Sequence, residues 1–329
     1  MPAEQGEHLH LDGEIAGWLS DTTPEDEPTT VAEAREHSRR TNALALARMS
    51  PQLIPASETD LEIEGPGGTI PVRVLRPAGD QQLPTVVYFH GGGWVLGDID
   101  THLGHARRIC TQAGAVVASI GYRRAPEHRF PAAFDDAVLA AEWTHAQLAA
   151  LGGEAGPFIL AGDSAGAQLA ASVAIARRDA GRPVSAQLLL YPVTDATGRY
   201  LDADVNAGYM SRTSADRGYG LTLQGMQNFA THYVDLADSS DWRVSPIRAA
   251  DLSGLAPAVV HTATLDVLRT EGNFYAQALE RAGVHVIARE WPTLNHSYFG
   301  LGGVSAVADS AAAQAADDLH HLLAQVTAR

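Results

Sequence analysis

The sequence predicts an α/β fold: a mostly parallel central sheet flanked by helices on both faces, with a helical cap. Three observations predict it. Short continuous apolar runs alternate with longer amphipathic segments, the pattern of a sheet buried on both faces. The chain has 329 residues, 45% of them apolar, ample for a large core. One interval, residues 195–250, is far longer than a single crossover helix needs.

Taken in order, residues 1–30 hold eight carboxylates and no Arg or Lys, and read as mobile or loosely helical. Residues 31–50 read as a helix whose apolar side is Ala43, Leu44, Leu46, Ala47 and Met49. Segments 61–64 and 70–75 alternate like strands around Gly65-Pro66-Gly67-Gly68, which predicts an antiparallel hairpin at one sheet edge. Buried strands are expected at 85–89, 115–120, 158–161, 187–191, 258–262 and 285–288. Helices are expected near 101–113, 131–151, 165–180, 270–282 and 303–326. Insertions after strand ends in such sheets commonly lie above the site. The chain therefore divides into an N-terminal cap segment (1–55), a catalytic body (56–194 and 251–329) and a cap insertion (195–250).

The formal net charge of -16 argues against a nucleic-acid partner, which needs a basic face. All 23 basic residues are Arg. The single cysteine, Cys110, forms no intramolecular disulfide and reads as a buried structural thiol on a helix. The N-terminus lacks a basic segment followed by an apolar one, so no signal peptide is expected. No apolar run approaches the ~20 residues that cross a bilayer. The expectation is a soluble cytoplasmic protein without a membrane partner; a homodimer is left open.

Chemistry concentrates at four places. An apolar run enters Gly162-Asp163-Ser164-Ala165-Gly166 and an Ala-rich helix leaves it, which is G-x-S-x-G between a strand and a helix. The expected sharp turn lifts Ser164 out of the sheet and sets it at a helix N-terminus, where developing negative charge is favoured. His90-Gly91-Gly92-Gly93-Trp94 follows the strand at 85–89. Without the Lys of a phosphate loop, it reads as an oxyanion loop whose amides converge with that of Ala165. His90 reads as an anchor for that loop rather than as a base. In the chain order Ser, acid, His, Asp266 and His296 complete a triad, each in a loop after a strand. Glu271 is the competing carboxylate, but it falls inside the next helix. His296 would take the proton of Ser164, Asp266 would orient the imidazole, and water would later cleave the acyl-enzyme. No metal or cofactor is called for.

Together these residues resemble the hormone-sensitive-lipase-like family of bacterial carboxylesterases, from about residue 60 onward. The run Gly121-Tyr122-Arg123-Arg124-Ala125-Pro126-Glu127-His128-Arg129-Phe130-Pro131-Ala132-Ala133 resembles the family's Y-R-L-A-P-E-x-x-F-P-A-A segment. Asp266-Val267-Leu268-Arg269-Thr270-Glu271-Gly272 resembles its D-P-L-R-D-E-G. The resemblance implies the α/β-hydrolase fold, the cap, and an oxyanion hole from Gly92, Gly93 and Ala165. Val267, Arg124 and Ser297-Tyr298-Phe299 depart from the family pattern and leave the triad intact. Arg123, Glu127 and Asp135 or Asp136 read as ties between loops, and Asp163 as structural. Trp94, Tyr191, Tyr209, Phe229 and Tyr298 are candidates for the pocket wall, plain packing being the other reading. The expected activity is hydrolysis of short- to medium-chain acyl esters. An amidase or small-metabolite deacetylase would use the same triad. A non-catalytic ligand-binding receptor of this fold would have lost it.

Overall fold

The computed structural model describes residues 10–24, 28–79, 82–152 and 156–327. Two helices come first, α1 (Gly13–Thr22) and α2 (Val31–Ala47). Asp12 caps α1 by accepting from the Ile15 amide, and Thr30 with Glu33 forms a capping box on α2. The hairpin β1 (Ser57–Gly65) and β2 (Gly68–Arg76) follows, then β3 (Thr85–Phe89), α3 (Leu103–Gln112) and β4 (Val116–Ile120). Next come α4 (Ala132–Ala146), the single turn α5 (Leu148–Leu151), β5 (Phe158–Asp163), α6 (Ala165–Asp179) and β6 (Ala186–Leu190). Three helices occupy the long interval: α7 (Ala203–Ala207), α8 (Ser211–Ser214) and α9 (Leu223–Tyr233). The chain closes with β7 (Ala258–Leu265), α10 (Arg269–Arg281), β8 (Val286–Asn295) and α11 (Ala306–Thr327).

The eight strands form one sheet in the order β1-β2-β4-β3-β5-β6-β7-β8. β2 runs antiparallel to both its neighbours, and every pair from β4 to β8 is parallel. The period of two explains the continuous apolar runs. Val87 and Phe89 of β3 enter the core on one face of the sheet, while Val86 and Tyr88 enter the core on the other. Small residues of α6, among them Ala167, Ala170, Ala171 and Ala174, let that helix sit close beneath the strands. Among the described residues no helix is long and apolar enough to cross a membrane.

Three differences from the sequence expectations have physical causes. The last strand is Val286–Asn295, longer than 285–288, because it is an edge strand. Such a strand is half-solvated and carries Arg289, Glu290 and Pro292 outside the apolar pattern. The helix expected near 131–151 breaks at Gln147 into α4 and α5. Within the acidic stretch 1–30, residues 13–22 form a regular capped helix that buries Ile15 and Trp18; residues 1–9 and 25–27 lie outside the described residues.

Candidate active site

Each triad candidate is the first residue beyond a parallel strand. Ser164 follows β5, Asp266 follows β7 and His296 follows β8. The C-terminal strand ends thus bring together three residues far apart in sequence. Ser164 has φ 54 and ψ -120, a strained conformation held by its surroundings. The flanking glycines are there for space. A Cβ on Gly166 would lie 1.9 Å from the Phe89 carbonyl oxygen, and one on Gly162 would lie 2.3 Å from the Gly166 carbonyl carbon.

His296 Nδ1 lies 2.7 Å from Asp266 Oδ2, and its Nε2 lies 2.9 Å from Ser164 Oγ. With Nδ1–H donating to the carboxylate, Nε2 is left to accept from the serine hydroxyl. Asp266 Oδ1 accepts from the Leu268 amide at 2.9 Å, which fixes the carboxylate plane. The edge of the Tyr191 ring meets the imidazole at 4.8 Å between centroids. All three triad side chains are buried.

The glycine loop turns beside the serine. Gly92 and Gly93 have φ 108 and 60, and both line the same cavity as Ser164 and His296. Ala165 opens α6, and its amide faces no helical acceptor. Among the described residues, none of these three amides donates to a backbone carbonyl outside the regular elements. Asp163 Oδ1 holds the loop from below, accepting from the Gly91 amide at 2.8 Å and from Tyr88 Oη at 2.6 Å. His90 is an anchor in geometry too. Its Nδ1 donates to the Gly91 carbonyl at 2.8 Å, its ring stacks on Tyr122, and burial pushes its imidazole down to about 3.

The motif around Tyr122 links three parts of the molecule. Tyr122 Oη donates to the His90 carbonyl at 2.7 Å, and Arg123 pairs with Asp136 at 2.7 Å. Glu127 pairs with Arg35 of α2 at 2.7 Å. That hydrogen-bonded guanidinium lowers the Glu127 carboxyl to about 2. Arg129 donates to the Thr231 and His232 carbonyls at the end of α9. A second, fully buried tie joins the insertion to α10: Arg212 donates to Glu271 Oε2 at 2.6 Å. Thr194 N and Tyr200 Oη donate to Glu271 Oε1. Glu271 is therefore a structural anchor and takes no place beside His296.

The cavity has a volume of about 390 Å³. Trp18, Leu19 and Thr41 of the N-terminal helices line it, as do Leu221, Met226 and Phe229 of the insertion. Of the five aromatic candidates for its wall, Phe229 lines it, and the expectation needs correcting for the other four. Trp94 turns into the core, stacks on Tyr233 at 4.4 Å and donates its indole N–H to Gln168. Tyr191 and Tyr298 are fully buried against each other behind His296. Tyr209 is drawn into the ionic network, donating to Asp195 at 2.5 Å. Sequence reasoning missed Trp18 and Leu19 as wall residues; the signal was Ile15, Trp18 and Leu19 at helical spacing after the N-cap residue Asp12.

Residues 86–300 match the model of a family described by the alpha/beta hydrolase fold. Over 288 residues the chain is 42% identical to carboxylic ester hydrolase LipN of Mycobacterium tuberculosis, covering 84% of this chain and 73% of that protein. It is 38% identical over 279 residues to carboxylesterase NlhH of the same organism, covering 82% and 83%. A solved structure of a hyperthermophilic esterase from the archaeon Pyrobaculum calidifontis superposes with a TM-score of 0.84 at 36% identity, covering 94% of this chain and 97% of that one.

Proposed function

The chain belongs to the hormone-sensitive-lipase-like carboxylesterases of the α/β-hydrolase fold, and from that premise we propose that Ser164, His296 and Asp266 carry its reaction. It is a serine ester hydrolase acting on small-molecule esters. The observation that carries the residue assignment is the unbroken chain Ser164–His296–Asp266, opening onto an apolar-walled cavity.

His296 Nε2 takes the Ser164 proton as Oγ attacks the ester carbonyl carbon. Asp266 keeps the imidazole in the Nδ1–H tautomer and stabilises its cation. The carbonyl oxygen becomes an oxyanion, which the amides of Gly92, Gly93 and Ala165 receive; one such donor is typically worth ~3 kcal/mol. The N-terminus of α6 favours the same charge. The imidazolium then protonates the leaving alcohol. Water attacks the acyl-enzyme with His296 again as base.

The N-terminal segment 1–55 and insertion 195–250 act as the cap in this reading. Its support is that both supply wall residues to the cavity above Ser164. A volume of about 390 Å³ is near the lower end of small-molecule sites, ~300–1,000 Å³. Each buried acyl methylene contributes ~0.8 kcal/mol until the chain meets the cavity end. The substrate class is therefore short- to medium-chain acyl esters. A series of p-nitrophenyl esters should peak between acetyl and about octanoyl, with no jump in rate above substrate solubility; an optimum at palmitoyl would refute the size argument. We place the enzyme in the cytoplasm, supported by a single buried cysteine and no need of an oxidising compartment. Whether it pairs as a homodimer is tested by sedimentation.

A further inference from the structure

Beside Asp163 lies a cluster that ester hydrolysis leaves unused. His102 and His105 stand one turn apart at the start of α3 and project from one helix face. One ligand atom from each of His102, His105 and Asp163 lies within 4.8 Å of the other two, and all three residues are buried.

The hydrogen bonding around them leaves one Asp163 oxygen facing imidazole nitrogens. The Thr101 hydroxyl gives its hydrogen to the Asp98 carbonyl at 2.9 Å. Toward His102 Nδ1, at 3.0 Å, it is then an acceptor, so Nδ1 carries the proton. His102 Nε2 lies 3.7 Å from Asp163 Oδ2, within ion-pair distance. The other Asp163 oxygen is already occupied by Gly91 N and Tyr88 Oη. His105 Nε2 is buried and has no hydrogen-bond partner among the described residues. One imidazole nitrogen from each histidine and a carboxylate oxygen thus converge in a buried place, an arrangement that positive charge stabilises.

We propose that His102, His105 and Asp163 form a binding site for a divalent transition-metal ion of the zinc type. Two imidazoles and one carboxylate make a ligand set that Zn²⁺ takes, completed to four by water. Thr101 fixes the His102 tautomer, as outer groups do for metal-bound imidazoles. Both histidines also border the cavity that holds Ser164, which gives the ion a route in. The ion would tie α3 to the residue preceding Ser164, and through Asp163 Oδ1 to the glycine loop. It takes no part in the ester chemistry.

The test is titration of the chelator-treated full chain with Zn²⁺ by calorimetry, and with Co²⁺ by visible absorption. One equivalent should bind, with the visible bands of a coordinated Co²⁺. The melting temperature should rise roughly 4 °C at ~100-fold excess over Kd. His105→Ala and His102→Gln should each abolish that equivalent while circular dichroism reports an intact fold. Absence of stoichiometric binding would overturn the proposal. Equal binding in both variants would overturn it too, and assign the ion to surface histidines. If one variant fails to fold, the other carries the same readout.

Discussion

Replacing Arg212 with Met removes the cation of a buried pair and leaves its partner behind. Arg212 and Glu271 are both fully inaccessible, and the guanidinium lies 2.6 Å from Glu271 Oε2. Breaking such a pair from one side costs about 3–5 kcal/mol, because the remaining charge is stranded. At about 2.1 cal/mol/K of unfolding entropy per residue, a chain of 329 residues has roughly 0.7 kcal/mol/K. The expected fall in melting temperature is therefore about 4–7 °C. Met fills the place of the aliphatic stem, so the loss is electrostatic rather than a cavity. Burial already raises the Glu271 carboxyl above its ordinary value in the native protein, against the pull of Arg212. Without Arg212 it rises further. A carboxyl raised on folding binds its proton more tightly in the native state, so the stability of the variant improves as pH falls through the window above about 4.5. The deficit should be largest at neutral pH and shrink on acidification. The double variant Arg212→Met with Glu271→Gln should recover part of the loss, because nothing charged is then stranded. Scanning calorimetry of the three proteins from pH 8 to pH 5 decides it. A shift below about 1 °C in Arg212→Met, or a double variant no better than the single, would refute the reasoning.

Gly93→Ala would put a Cβ 2.4 Å from Cγ of Phe229 at a residue with φ +60; the loop must shift, and kcat should fall ~10²-fold with the protein still folded. The acyl-length series should show its optimum between acetyl and about octanoyl. The Arg35 hydrogen bond that lowers Glu127 to about 2 contributes stability above the ordinary value of 4.5 and loses it as pH falls through that window. The difference in melting temperature between wild type and Glu127→Gln should therefore vanish on acidification from 4.5 towards 2, and should be small and salt-sensitive because Glu127 is half-exposed.

What was legible in the sequence was whatever leaves a local mark. Gly162 and Gly166 flank the serine because their neighbours leave no room for a Cβ, and that steric demand is written as G-x-S-x-G. Asp266 and His296 could be proposed because strand ends define where a sheet of this kind does its chemistry; the strand before Asp266 was readable in full and the one before His296 only at its start. The glycine loop announced itself by composition. The pocket wall left no such mark. Trp94, Tyr191, Tyr209 and Tyr298 sit near strand ends or in the insertion, as wall residues would. Which way a ring turns depends instead on tertiary partners: Tyr233 for Trp94, Asp195 for Tyr209 and each other for the remaining two. The role of Glu271 was illegible for the same reason, since its partner Arg212 lies 59 positions away. Trp18 and Leu19 were readable from helical spacing, but the surrounding carboxylates obscured the pattern.

The assignment of Ser164 as nucleophile is tested most directly by covalent capture. The full chain is treated with a p-nitrophenyl phosphonate and its intact mass is measured beside that of Ser164→Ala. One phosphonyl adduct should form in step with loss of esterase activity, and tandem mass spectrometry should map it to Ser164. Ser164→Ala should remain folded, take up no adduct and lose several orders of magnitude in kcat. An adduct at another residue, or Ser164→Ala with wild-type turnover, would contradict the account.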